Sequence, residues 1–257
     1  MIVPMKKVHV VVQKKDIVAA LENLRDLGTV HVEHQEALTG YQLTERREEV
    51  KILMQALEIL KQNKVSVEQK LCTDWTESVN KVLELSAEIE RYTESMFKRQ
   101  TLISQWDVWG DFNPKDIRDL ENKGFYVQLC ECSVKEYVDP PEGVILEDIG
   151  MVGGVKRMVA IMQEKCELPF TIVALPSMGL LEMRLLQKQE QEKVEQIRQK
   201  IQEEACYVQS LEKSMAECQS ILEFEEVEKG MREDGELALL KGFCPANTAE
   251  AIEQKVK

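Results

Sequence analysis

Aromatic residues are scarce, at 5% of the chain, and histidine occurs only three times, always within the first 34 residues. A composition so poor in aromatics and dominated over long tracts by Leu, Glu, Lys, Gln and Val fits extended helices better than a compact sandwich or barrel. No G-x-S-x-G, H-E-x-x-H or similar pattern occurs, so catalysis has no visible foothold. The glycine patterns that cradle phosphates, G-x-x-x-x-G-K-[ST] and G-x-G-x-x-G, are also missing. Long apolar runs are lacking too. The longest weakly charged stretch, PFTIVALPSMGLL, is interrupted by Pro176 and falls short of the roughly 20 residues that span a bilayer. The opening MIVPMKKV does not have the order of a signal peptide, and the chain is expected to be soluble.

Positive charge is the minority sign. With 33 Lys and Arg against 46 Asp and Glu, the net charge of -13 would repel a phosphate backbone, which argues against nucleic acid as a partner. The seven cysteines are odd in number and scattered, as expected of reduced thiols in a cytosolic protein. Cys130 and Cys132 are two apart on an expected strand, which is not the spacing of a zinc loop. His9 and His31 sit on expected strands with His34 just beyond, and no matched set of further ligands accompanies them. Neither a metal nor a cofactor is expected.

What is present is periodicity. In KVHVVVQKKDIVAALENLRDLGTVHVE, Val8, Val10 and Val12 alternate as on a half-buried strand, then Ile17, Ala20, Leu21, Leu24 and Leu27 recur at helical spacing. Asp16 suits the start of that helix and Gly28 its end, and TVHVE resumes the alternation. From Thr44 a heptad places Val50, Leu53, Leu57, Leu60, Val67 and Leu71 at a and d, with Lys64 out of character. A second register holds Val82, Leu85, Ile89, Tyr92, Met96, Ile103 and Trp106, with Ser78 and Arg99 as exceptions. The two registers differ by four residues, so CTDWT is either a stutter or a short break, and a break or bend at 72–76 is expected. A third tract, over Met178 to Lys229, carries Leu180, Met183, Val194, Ile197, Ile201, Val208, Leu211, Met215, Cys218 and Leu222, interrupted by Gln187, Glu190 and Glu204.

Between the second and third tracts the pattern changes. Asn113-Pro114 opens a short helix that Gly124 closes, and FYVQLCECS, GVILEDI, VKRMVAIM and FTIVALP read as strands, with MVGG as a hairpin turn. Near the end, Leu237, Leu239 and Leu240 are expected to join the N-terminal sheet, with Ala249, Ile252 and Val256 covering it. The expected fold is therefore α+β: an elongated dumbbell of two small α/β lobes joined by a long antiparallel helical hairpin or bundle. Its parts are a proximal lobe (1–40 plus 234–257), the helical hairpin (41–110 plus 177–233) and a distal lobe (111–176). Arg118, Lys123, Lys156 and Arg157 give the distal lobe a local positive character and are candidate partner contacts. The acidic cluster Glu223, Glu225, Glu226 and Glu228 reads first as a solvated helix face.

Three features in this order, IVPMKKVHVVV…LENLRDLGTVHVE, the heptad hairpin around an α/β tip, and LLKGFCPANTAEAIEQKV, resemble the cytoplasmic N-terminal half of subunit I, or subunit a, of V-type and archaeal-type rotary ATPases. In that family the closing segment usually reads G-W-x-P before a helix; here Gly242, Phe243, Cys244 and Pro245 stand in those places. The resemblance covers the whole chain. It implies a non-catalytic stator part at the cytoplasmic face of a membrane complex. Its implied partners are the peripheral-stalk E–G heterodimers, the central-stalk cap subunit and, through a C-terminal membrane half, the rotor ring, in support of ATP-coupled proton or sodium transport. That membrane half is not in this sequence, and a truncated chain is expected. Two other readings are a ferredoxin-like regulatory protein that binds a small molecule, and a coiled-coil tether or scaffold.

Overall fold

The computed structural model describes residues 4–33, 41–63, 68–246 and 248. The chain divides into two compact units, one of residues 1–84 and 201–257, the other of residues 85–200.

The first unit is built on a four-stranded sheet. β1 (Met5–Gln13) pairs antiparallel along its whole length with β8 (Leu237–Pro245), Val10 lying opposite Leu240 and Val11 opposite Leu239. On the other side of β8 lie β2 (His31–Val32) and β7 (Arg232–Asp234). The alternation in the sequence sets the faces, because successive side chains of a strand point to opposite sides. Val8, Val10, Val12, Ala238, Leu240 and Cys244 turn inward to meet Leu21, Leu24 and Leu27 of α1 (Ile17–Leu27) and Phe224 and Val227 of α6 (Val208–Lys229). Val11, at 58% exposure, is turned outward. The returning strand thus lies beside β1, but only Leu240 of the three expected leucines is buried; Leu237 is exposed. Ala249, Ile252 and Val256 lie outside the described residues, as do His34, Lys64 and Val67.

Helix α1 follows a single 3-10 turn, Lys14–Asp16, and stops at Gly28, whose φ of 60° is the left-handed conformation that ends helices. Asp16 occupies the N-cap position, yet its side chain makes no capping hydrogen bond. The close approach in this sheet falls at Gly242. A β-carbon there would lie 2.7 Å from the carbonyl oxygen of His31 and 2.9 Å from Val30 Cγ1, so β2 and β8 can meet only over a glycine.

The heptad tracts become four helices, with two corrections. α2 (Tyr41–Gln62) ends well before Leu71, and α3 (Trp75–Asp107) begins after an extended segment. The break is therefore real and wider than 72–76, and Leu71, assigned to a helical core position, is 83% exposed. Its cause is local hydrogen bonding. Asn63 Nδ2 donates to the Ile59 carbonyl at the end of α2, while Asp74 Oδ1 accepts from the backbone N–H groups of Thr76 and Glu77 and caps α3. The second correction is that the tract over 178–229, which its single heptad register presents as one returning helix, is interrupted. α5 (Leu180–Glu204) and α6 are separated by a 3-10 turn, Ala205–Tyr207. There the segment before α3 supplies the missing partners: Lys70 N–H donates to Cys206 O, Gln69 Nε2 to Ala205 O, and Gln69 Oε1 accepts from Gln209 N–H. Such bonds satisfy groups that an interrupted helix leaves open.

α2 runs antiparallel along α6, with Arg47–Glu226 (2.8 Å), Arg46–Glu225 (3.7 Å) and Lys61–Glu212 (2.7 Å) along the seam. Leu53, Ala56, Leu57 and Leu60 are its buried stripe.

The second unit holds the other four-stranded sheet, in the order β4-β5-β3-β6. Its strands are β3 (Tyr126–Ser133), β4 (Ile145–Val152), β5 (Val155–Met162) and the short β6 (Thr171–Val173). Gly153 and Gly154, at φ 62° and 79°, make the β4–β5 turn as the sequence implies, since both central positions of this tight hairpin need positive φ. One face of the sheet, with Leu129, Val159 and Val173, packs on Ile103, Trp106, Trp109, Leu180 and Met183 of the helix ends and the adjoining loop. The other face buries Cys130, Met158, Ala160 and Met162 with Phe170. α4 (Pro114–Asn122) is capped by Asn113, whose Oδ1 accepts from Lys115 N–H at 3.0 Å.

Replacing Gly242 by alanine should destabilise the first unit by about 1–3 kcal/mol, the usual cost of forcing atoms into a filled site. Denaturant unfolding measures it. A G242A protein as stable as the parent would mean that β2 does not lie against β8.

Candidate interaction site

The four basic residues picked from the sequence all lie in the second unit, in different settings. Arg118 projects from α4 and Lys123 follows its end; both are exposed and neither forms an ion pair among the described residues. Lys156 and Arg157 are neighbours on β5 and so point to opposite faces of the sheet. Lys156 bonds Asp148 at 3.0 Å and lies 4.6 Å from the centre of the Tyr137 ring, and the Asp148 hydrogen bond holds its pKa above the usual lysine range. Arg157 pairs through Nε with Glu131 at 2.8 Å, while its Nη1 is buried without a partner. Arg118 and Lys123 are therefore the free cations of the set, whereas Lys156 and Arg157 are each matched by an acid.

Four of the heptad exceptions prove to be partners of one another, Ser78 with Glu204 and Arg99 with Glu190. Ser78 Oγ donates to Glu204 Oε2 at 3.1 Å, and Lys81 Nζ reaches Glu204 Oε1 at 2.5 Å. Glu204 is 7% exposed, and its carboxylate raises the pKa of Lys81 by hydrogen bond and charge. In the second unit Arg99 pairs with Glu190, which also accepts from Ser95 Oγ, and Gln187 donates to Gln100 at 2.7 Å. Arg184 and Asp107 close the same seam at 2.5 Å. An acid taken out of water without its partner is costly, so the Glu204 and Glu190 pairs disfavour a slipped pairing of α3 with α5. The sequence marks these positions as misfits in a heptad but does not say what they face.

Half of the acidic cluster on α6 is likewise structural: Glu225 and Glu226 face Arg46 and Arg47, while Glu223 and Glu228 form no ion pair among the described residues. His9 and His31 lie on the outward face of the first sheet, where His9 is opposite Lys241 and His31 opposite Phe243. No group of His, Cys, Asp and Glu among the described residues could hold a metal ion. All seven cysteines are free thiols. Burial pushes the Cys130 thiol up to about 11. No helix among the described residues is long and apolar enough to cross a membrane.

Two proteins align along essentially the whole chain. V-type ATP synthase subunit I of Borreliella burgdorferi (strain B31) is 27% identical over 267 residues, covering 100% of this chain and 43% of its own length. V-type ATP synthase subunit I 1 of Treponema pallidum (strain Nichols) is 24% identical over 279 residues, covering 99% of this chain and 44% of its own. The chain thus spans less than half the length of the curated relatives it matches, and these are subunits of the kind its motifs resemble. No family model matches the chain. Among solved structures, the cytoplasmic N-terminal domain of subunit I, homolog of subunit a, of V-ATPase aligns over 97% of this chain and 95% of its own, at 14% identity and a TM-score of 0.36.

Two results are expected from this geometry. A double-mutant cycle on R99M and E190M should give a coupling of about 1–3 kcal/mol, and additive losses would show that the two do not interact. Alkylation at pH 8 should reach the half-buried thiol of Cys72 well before the buried Cys130, because a thiol held protonated to about 11 presents almost no thiolate. The same shift makes alkaline pH destabilising: between the ordinary value of 9.0 and about 11 the unfolded chain loses this proton and the folded one keeps it, so stability falls as pH rises through that window.

Proposed function

We propose that this chain is the N-terminal, non-catalytic part of a subunit I of a V-type rotary ATPase, and that it serves as a stator element at the cytoplasmic face of the complex. The observation that carries this reading is the alignment of the entire chain with less than half of two curated subunits I. In this reading the remainder of the subunit is a membrane half that faces the rotor ring and moves protons or sodium ions. The part described here holds the peripheral-stalk E–G heterodimers and meets the central-stalk cap subunit.

Its mechanical role suits the chemistry of the helices. A part that resists torque must not slide internally, and the Glu204 and Glu190 pairs oppose slippage where apolar heptads alone would tolerate it. In the proposed arrangement a proximal lobe (1–40 plus 234–257) and a distal lobe (111–176) are joined by the helices (41–110 plus 177–233) as an elongated dumbbell. Arg118, Lys123, Lys156 and Arg157 on the distal lobe are the proposed contacts for an acidic stalk surface, Arg118 and Lys123 first because neither forms an ion pair among the described residues.

The test is capture of purified E–G heterodimer from the cognate complex by this protein. Binding that falls at least tenfold with R118E/K123E and weakens with added salt supports the stator reading and the contact site together. Binding unaffected by that pair of substitutions would move the contact elsewhere. Failure to bind either the heterodimer or the cap subunit would contradict the stator role.

A further inference from the structure

Within the first unit, α1, β2 and α6 enclose a cavity of about 350 Å³. Its floor is apolar, formed by Leu21, Leu24, Val32, Phe224, Val227 and Leu240. At its rim stand two opposite charges, Arg25 from α1 and Glu223 from α6. The Arg25 guanidinium lies over the Phe224 ring, 5.8 Å from its centre, and neither Arg25 nor Glu223 forms an ion pair among the described residues. Ser220 also stands at the rim.

An apolar cavity of this size with few polar groups matches the lower end of small-molecule sites, which run from about 300 to 1,000 Å³. The charges then restrict the ligand. Arg25 offers a planar fork of N–H donors suited to a carboxylate, and Glu223 offers an acceptor suited to an ammonium. Two other cavities among the described residues differ in this respect. Beside α4, Lys165 and Glu121 already neutralise each other at 3.2 Å, and beside the start of α3, Lys81 is committed to Glu204.

We propose that this cavity binds a free α-amino acid with an apolar side chain, its carboxylate on Arg25, its ammonium on Glu223 and its side chain on the Leu24–Phe224–Leu240 floor. Occupancy ties α1 and β2 to α6 and stabilises the first unit through linkage. The inference does not depend on the stator reading, and either can fail alone.

Calorimetry and amide-resolved NMR on the intact chain, with L-leucine and L-phenylalanine as probes, test it. Saturable binding is expected, with shifts concentrated in residues 21–32 and 220–240. N-acetyl-L-leucine and L-leucinamide, each lacking one charge, should bind at least about tenfold more weakly, the loss expected for one charged hydrogen bond. L-glutamate should not compete. R25Q should weaken leucine about tenfold while abolishing the difference between leucine and leucinamide, and E223Q should abolish that between leucine and N-acetyl-L-leucine. Both residues are exposed, so circular dichroism should show both variants folded. No saturable change up to about 10 mM leucine or phenylalanine, equal binding of the neutralised analogues or of glutamate, or unchanged affinity in folded R25Q and E223Q would overturn the proposal.

Discussion

The first unit depends on one ladder, the pairing of β1 with β8. It joins Met5–Gln13 to Leu237–Pro245 across more than two hundred residues of intervening chain. Closing so long a loop costs less than its length suggests, because the entropy of closure grows only logarithmically with the number of residues. Once formed, the ladder brings Val10 and Leu240 onto one face, where α1 and α6 cover them. Without it the inward valines of β1 would have no second strand, and α1 would have half a surface to pack on. Gly242 is part of the same constraint, since its missing side chain is what lets β2 reach β8 and extend the sheet.

The helices answer a different problem. Apolar heptads attract but do not choose among registers one heptad apart, since each shifted pairing again brings leucine to leucine. Polar residues at a few core positions remove that freedom. Glu204 finds Ser78 and Lys81 at only one register, and Glu190 finds Arg99 and Ser95 likewise. The 3-10 turn at Ala205–Tyr207 lies next to the first of these and takes its hydrogen bonds from the segment carrying Gln69 and Lys70. The interruption takes its partners from the connecting segment, and the lock at Glu204 takes Ser78 and Lys81 from the first turns of α3 that follow it.

Much of this is legible in the sequence. The alternation of Val8, Val10 and Val12, the helical spacing through Leu24, Gly28 at a helix end and Gly153-Gly154 at a hairpin tip each follow from local chemistry, and each is realised. What escapes is what depends on a neighbour. Leu71 continues the heptad by spacing, yet the capping by Asp74 and the bonds from Lys70 and Cys72 to the α5–α6 junction draw its segment out of the helix. Asp234-Gly235, a turn signal before LALL, marks the hairpin that makes β7, although the charged surroundings hide so short a strand. The basic residues are visible as a group, but their acid partners Asp148 and Glu131 come from other strands. Periodicity reports which side of an element is apolar; it carries no record of what that side meets.

The most direct test is whether the first and last strands lie side by side in the intact chain. Nuclear Overhauser effects between backbone protons of Val8–Val12 and of Ala238–Gly242 report it without any substitution. The antiparallel register with Val10 opposite Leu240 predicts a regular series of cross-strand contacts, since facing residues in such a ladder lie about 4.5–5.5 Å apart. A spectrum in which these protons show only sequential contacts, with the β1 amides exchanging as freely as an unpaired strand, would contradict the account.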